Sequence, residues 1–488
     1  MELSSGMRWS GVSMLGREVS RTLFTIFLAR LIGPDEFGVA AQASVFIGMV
    51  SIFLDQGFSV ALIQRQKISE TMPGATASVN LAVGAMLTGI TVAIAPLWAS
   101  FMKTPQLTVV LVAFAASLLI RSAVITPRAM LMRNMQFRRI GIADAVAAFA
   151  GGLLGLAVAI QWANYWAVVV QVVGTDVLTV VLLVFLRAGY RPNLKVSQLR
   201  TIAGFSWRAF AAGILITSIS QNIDNLLIGR VYGAAALAYY GLAYRLLLLP
   251  VQLAISSVGA VLLPAFSRLA EDVRALRTEM ARATRTLATL AVPTMALAAA
   301  AAPQLVPIVF GSQWLPAVRI VQVLALVGAL QATYRPTTTS LMLGMGRASL
   351  ALRYAVLTTA AAVAGIVGGL PFGPFGVAVG LAATSTALLP IEWFVRRRLL
   401  GISIREQVDA LLPAVQLGFS GAAAYLLVTS HIAGGQLVIA IVGLLAAGVT
   451  WFALLRLAHP ALFAELRHMG LRLVGHRPSD EASVGGGL

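Results

Sequence analysis

The chain has 488 residues, 59% of them hydrophobic and 11% charged, with a mean hydropathy of +0.87 and a formal net charge of +18. A soluble domain carries roughly 25% charged residues, so a water-soluble globular fold is excluded and a polytopic membrane protein is expected. With no cysteine and four histidines, neither a disulfide framework nor a metal cluster is available, and no cofactor is expected.

Taken in order, the chain gives about fourteen apolar spans, approximately 12–33, 37–63, 76–101, 107–127, 140–160, 163–187, 205–231, 236–266, 284–310, 315–342, 349–370, 374–399, 410–431 and 435–457. Each is long enough to cross about 30 Å of hydrocarbon at about 1.5 Å per residue. The first, Val12–Ile32, carries Arg17, Glu18, Arg21 and Arg30 and reads as a span, not as a cleavable signal.

Cations gather before the first span and after every second one. Arg8 precedes span one, and Arg65 and Lys67 follow span two. Arg128, Arg133, Arg138 and Arg139 follow span four; Arg187, Arg191, Lys195 and Arg200 follow span six. Arg268, Arg274, Arg277, Arg282 and Arg285 follow span eight, Arg347 and Arg353 span ten, and Arg396, Arg397, Arg398 and Arg405 span twelve. The opposite loops hold Arg30, Lys103 and Arg230. By the positive-inside rule both termini are cytoplasmic. The basic excess therefore reports topology, and no nucleic-acid partner is expected.

Two parts of the chain repeat each other at an offset of 200. Arg30 and Gly33 fall under Arg230 and Gly233, and Ala40 to Ala43 under Tyr240 to Ala243. A helix–turn–helix unit therefore recurs in each half. Spans one to six form one lobe over 1–190 and spans seven to twelve a second over 205–400. Six is even, so the lobes share an orientation and are related by an axis along the membrane normal. Residues 191–204 read as a cytoplasmic linker helix lying in the interface. Spans thirteen and fourteen (401–457) lie outside the duplication, and 458–488 form a cytoplasmic tail, disordered after Pro478. The expected fold is all-α, with two pseudo-symmetric six-helix lobes plus two C-terminal helices.

The repeated helices carry matching polar stripes. Ser13, Arg17, Arg21 and Thr25 recur every fourth residue, and the equivalent positions hold Gly213, Thr217, Gln221 and Asn225. One stripe is cationic and the other neutral. Further ionisable residues fall within or beside spans: Asp55, Arg121, Asp144, Asp176, Arg208, Asp224, Arg245, Arg319, Arg335 and Glu392. A charge at mid-bilayer costs at least about 2.5–3.5 kcal/mol, so each should face protein or water. Arg208, Arg121, Asp55 and Glu392 lie near cytoplasmic ends, where pairing or snorkelling suffices. Asp144, after Arg138 and Arg139, reads as a helix cap, and Asp224 as a structural carboxylate able to reach Arg230 or Arg245.

Arg17 and Arg21 share a face one turn apart, where like charges repel; an anion between them would resolve the conflict. Glu18 reaches Arg21 at i+3. Arg245 shares a face of span eight with Gly241, Gln252 and Ser256. Guanidinium forks suit phosphate oxygens, so Arg17, Arg21 and Arg245 are the candidate anion-binding residues, with Thr217, Gln221 and Asn225 lining the other half. Glu18, Asp55, Asp144, Asp176 and Asp224 are candidate supporting or ion-coupling carboxylates. No Gly-rich phosphate loop ending in Gly-Lys-Ser/Thr, no His-Glu-x-x-His and no Gly-x-Ser-x-Gly occurs, and no enzyme activity is expected.

Several segments resemble the polysaccharide transport family of oligosaccharide flippases. They are Ala-Arg-Leu-Ile-Gly-Pro-Asp-Glu-Phe-Gly (29–38), Leu-Asp-Gln-Gly-Phe-Ser-Val-Ala-Leu-Ile-Gln-Arg (54–65) and Arg-Ala-Met-Leu-Met-Arg-Asn-Met-Gln-Phe (128–137). In the second half they are Asp-Asn-Leu-Leu-Ile-Gly-Arg (224–230), Tyr-Tyr-Gly-Leu-Ala-Tyr-Arg-Leu (239–246) and Leu-Leu-Pro-Ala-Phe-Ser-Arg-Leu (262–269). The resemblance implies the multidrug/oligosaccharidyl-lipid/polysaccharide exporter fold, with a cavity that opens alternately inward and outward in a bacterial inner membrane. It implies an undecaprenyl-diphosphate-linked oligosaccharide as the substrate partner, with membrane lipids and polysaccharide polymerase machinery around it. Related lipid II flippases place arginines of helices one and eight on the diphosphate, which Arg17, Arg21 and Arg245 match in kind and helix. Two rivals remain: a cation-coupled drug exporter of the same fold, which should present carboxylates to its cavity, and a membrane-embedded glycosyltransferase or polymerase, which needs a sizeable outer loop.

Overall fold

The computed structural model describes residues 2–54, 62–63, 68–186, 190–195, 222–247, 262–432 and 434–474. Among them every regular element is helical, and ten helices are long and apolar enough to cross a membrane. Two long runs each take in two expected spans. One is α1 (Glu2–Ser51), which covers spans one and two; the other runs over Ala348–Leu400.

A local stop signal sets the bend in α1. Gly33 has φ 77° and ψ 171°, and Pro34 follows it inside the run. A left-handed φ suits glycine, which lacks a Cβ. Proline lacks the N–H that the interrupted ladder no longer uses, and its fixed φ starts the next helix. Gly233 has φ 85°, so the two glycines matched by the 200-residue offset share the left-handed region as well.

The helices that follow are α2 (Met72–Phe101), α3 (Leu107–Arg133), α4 (Phe137–Trp162), α5 (Trp166–Phe185) and α6 (Asn222–Leu247). Then come α7 (Val273–Phe310), α8 (Ala317–Gly344), α9 (Ala348–Gly369), α10 (Gly373–Ala387) and α11 (Leu389–Leu400). The last three are α12 (Ile404–His431), α13 (Gln436–Leu457) and α14 (Pro460–Val474). Helix α12 starts on a capping box in which Ser403 and Glu406 satisfy each other's backbone N–H groups.

The chain divides into two compact units. Unit 1 comprises Met1–Ala243, Val309–Ile320 and Ala355–Leu381; unit 2 comprises Tyr244–Ile308, Val321–Tyr354 and Ala382–Leu488. In unit 1, α1 packs against α3, α4 and α5, α2 against α3, and α4 against α5. Val39, Phe46, Leu87, Leu111 and Phe114 belong to one apolar cluster of its core. The α1–α4 contact is set by Gly152: a Cβ there would stand 2.1 Å from the Phe24 ring. Phe24 also meets Phe149 edge-on at 5.7 Å between centroids.

Near the Gly33 turn, unit 1 is held by polar groups as well as apolar ones. The Trp314 indole N–H donates to the Ala29 carbonyl at 3.1 Å, and Gln313 donates to the Arg30 carbonyl at 3.0 Å. Trp314 is fully buried among Phe37, Tyr239 and Phe310. The buried Gln42 donates to the Gly229 carbonyl at 3.0 Å, tying the helix after one left-handed glycine to the helix before the other.

Unit 2 has its own apolar core of Leu262, Phe266, Leu276, Leu287, Leu341, Tyr354 and Leu399. It also corrects one reading of the sequence. Arg396 does not belong with its neighbours Arg397 and Arg398 as a loop cation: it lies inside α11 and is only 2% exposed. Its guanidinium donates to Thr284, Thr337 and Thr338 and lies over the Tyr334 ring, 4.6 Å from its centroid. Thr338 in turn donates to Glu392 at 2.6 Å, and Tyr354 donates to the other Glu392 oxygen. A buried cation and a buried anion one turn apart are thus joined through one hydroxyl, which offsets the cost of burying either alone.

Candidate functional site

The cationic stripe of α1 meets charged groups of α3, α4 and α5 inside unit 1. Arg17 donates to Asp144 Oδ2 at 3.2 Å and pairs with Glu18 at 3.2 Å. Arg128 donates to the other oxygen of Asp144, so one carboxylate bridges two guanidinium groups. Arg121 pairs with Asp176 at 2.7 Å, and the Arg21 charge also acts on Asp176. Four arginines face three carboxylates along this seam, which leaves an excess of positive charge.

Packing explains how residues so far apart in sequence meet. Arg17 contacts Asp144, and further along both helices Phe24 contacts Gly152. The two helices therefore run parallel in register, as expected of the first and fifth members of an up-and-down series. Ion pairing offsets part of the penalty for charge in an apolar unit. The guanidinium groups nevertheless stay accessible: the side chains of Arg17 and Arg121 are each 36% exposed, against 10% for Asp144. Arg21 is exposed, and among the described residues its guanidinium makes no hydrogen bond or ion pair.

Three expectations from the sequence need correction. Asp144 does not cap α4, whose N-cap is Gln136; it lies beyond the first turn and spends both oxygens on arginines. Glu18 pairs with Arg17, not with Arg21. Arg128 is not a loop cation but part of α3.

The remaining candidates are placed differently. Asp224 is 6% exposed and accepts from the Tyr240 hydroxyl at 2.9 Å and from the Asn225 backbone N–H at 2.8 Å. Arg230 does not reach it and instead lies over the Phe101 ring, 5.1 Å from its centroid. Arg245 is exposed and belongs to unit 2. Asp55, Thr217, Gln221 and most of the linker, 196–204, lie outside the described residues. Among the described residues no group of three or more histidine, aspartate or glutamate side chains is placed to hold a metal ion.

Two partnerships escaped the sequence reading. Glu392 and Arg396 stand at i and i+4, a spacing that puts them on one helix face, and this was a usable signal. Arg128 and Asp144 lie 16 residues apart on different helices, and no local pattern connects them.

What the arrangement offers is a set of partly exposed guanidinium groups held by carboxylates within an apolar helical unit, groups of the kind that pair with anions. Residues 27–319 match a family described as polysaccharide biosynthesis protein. The lipopolysaccharide biosynthesis protein WzxC of Escherichia coli is 24% identical over 415 residues, covering 83% of each chain. The succinoglycan biosynthesis transport protein ExoT of Rhizobium meliloti is 25% identical over 429 residues, covering 84% of this chain and 85% of that one. In fold, the chain is similar to the lipid II flippase MurJ in an inward closed conformation, with TM-score 0.71, 15% identity, and 91% and 99% of the two chains covered.

Proposed function

The chain belongs to the polysaccharide biosynthesis protein family, and on that premise we propose that it moves a polyprenyl-diphosphate-linked oligosaccharide between the leaflets of a bacterial inner membrane by alternating access. No bond is broken in this reading. The diphosphate sits on the arginines of the α1 seam, the sugar crosses through a polar cavity, and the prenyl chain stays in lipid.

The observation that carries the proposal is the charge excess on this seam, four arginines against three carboxylates, with Arg21 exposed beside an ion-paired Arg17. A drug exporter for cationic compounds would need the opposite balance, carboxylates in excess. A guanidinium meets a phosphate through two parallel hydrogen bonds, each charge-assisted, and keeps its charge in an apolar setting.

A leaflet-accessibility assay tests the reading. Purified protein is reconstituted in vesicles with a fluorescently labelled, undecaprenyl-diphosphate-linked oligosaccharide, and the fraction open to an external glycosidase is followed. The wild type should equilibrate the label between leaflets, and Arg21→Ala should slow it about tenfold or more. Equal rates for empty vesicles and wild-type vesicles would end the proposal.

A further inference from the structure

Asp144 stands between two guanidinium groups in unit 1. Its two oxygens bridge Arg17 and Arg128, as one phosphate group bridges two guanidinium forks. The carboxylate is 9% exposed, while Arg17 stays over one-third exposed on its other side. Arg128 has a donor to spare: its Nε is buried and lacks a hydrogen-bond partner. An orphaned, buried guanidinium N–H costs free energy unless an acceptor arrives. Two accessible cations, one unused donor and one resident anion make a site that is already filled from within.

Resting on the transport reading above, we propose that Asp144 is an intramolecular competitor of the substrate's diphosphate for Arg17 and Arg128. It holds the two guanidinium groups in place when the site is empty, and it yields one or both of them when the diphosphate enters. It then reclaims them as substrate leaves. A transporter needs that return: arginines left bare would hold a diphosphate so tightly that release would limit turnover. Asp144 is thus a positioning residue that sets affinity low enough for release, while Glu18 keeps a second hold on Arg17.

The competition predicts an effect opposite to that of deleting a ligand. Asp144→Asn keeps the shape and removes the charge, so both arginines become available. Binding of inorganic diphosphate to the purified full-length protein in detergent, measured by calorimetry, should tighten about tenfold, which is about 1.4 kcal/mol. Transport of the labelled lipid-linked oligosaccharide should slow, with a lower half-saturating concentration. Asp144→Glu keeps the charge and should bind diphosphate like the wild type.

Thermal unfolding checks that Asp144→Asn is folded; Asp144→Ser, smaller and also neutral, is the second variant and should tighten binding too. Misfolding of both would make the carboxylate a structural necessity and overturn the proposal, as would unchanged or weaker binding in a folded variant. Tightening for phosphatidylglycerol micelles but not for diphosphate would assign the site to lipid headgroups and likewise overturn it. If the wild type binds diphosphate and Arg17→Gln weakens binding, failure of Asp144→Asn sinks this inference alone. Absence of diphosphate binding in the wild type sinks the transport reading with it.

Discussion

Gly38 approaches Ala234 so closely that a Cβ on Gly38 would stand 2.1 Å from the Ala234 carbonyl oxygen. Gly38 follows Gly33 and Ala234 follows Gly233, two left-handed glycines matched by the 200-residue offset, so the segments after these turns pack with backbone against backbone. Gly38→Ala must push the chains apart, and overpacking of this kind costs about 1–3 kcal/mol. Thermal unfolding in detergent should show a loss for Gly38→Ala and none for Gly48→Ala, where nothing lies within 4 Å. Equal stability of the two variants would show that the close contact does not form.

The planar fork of arginine should matter as much as its charge on α1. The Arg17→Lys, Arg21→Lys double variant retains two cations but loses bidentate geometry. Each charge-assisted hydrogen bond to a buried anion contributes about 1.5–3 kcal/mol, or about 10- to 150-fold in affinity. Diphosphate binding and leaflet exchange should fall at least tenfold, nearly as far as in the double alanine variant. Wild-type behaviour of the lysine variant would reduce these residues to anchors of the helix end.

In unit 2, Arg396→Leu should destabilise strongly, because Glu392 would keep only the neutral donors Thr338 and Tyr354. Removing one member of a buried charge network costs about 3–5 kcal/mol. Arg397→Leu, at an exposed neighbour, should cost little. The comparison uses unfolding temperature and detergent-solubilised yield, and similar values for both variants would contradict the buried network.

Orientation is open to direct labelling in a chain without native cysteine. Cysteines at the exposed positions Lys103 and Gly434 should react with an impermeant maleimide applied to the periplasmic side. Those at Lys195 and Arg397, also exposed, should react only after the membrane is opened. Labelling of Arg397→Cys in intact cells would reverse the assignment of the α11 end.

The parts of the fold legible in the sequence were those written in local signals. Gly33 and Gly233 were visible as a repeated turn because a left-handed residue favours glycine, and glycine is readable by itself. The helical class followed from span length and hydropathy. The site was legible only on one side: Arg17 and Arg21 declare a charged face by their spacing, but Asp144 lies 127 residues from Arg17, and only the register of α1 on α4 brings it there. Arg396 was hidden for another reason. Three consecutive arginines look like a solvated run, whereas a helix turns each by about 100°, so one can point inward while its neighbours stay wet.

Trp314 has a use that concerns measurement. Its indole is fully buried, hydrogen-bonded to the Ala29 carbonyl and surrounded by three aromatic rings. Any movement that parts the 312–314 turn from α1 wets this ring and removes its acceptor, and both changes alter its emission. The chain holds eight tryptophans; with the others replaced by phenylalanine, Trp314 becomes an intrinsic optical reporter of that separation. Stopped-flow fluorescence then registers any such separation in the same vesicles that score transport, without attaching a dye.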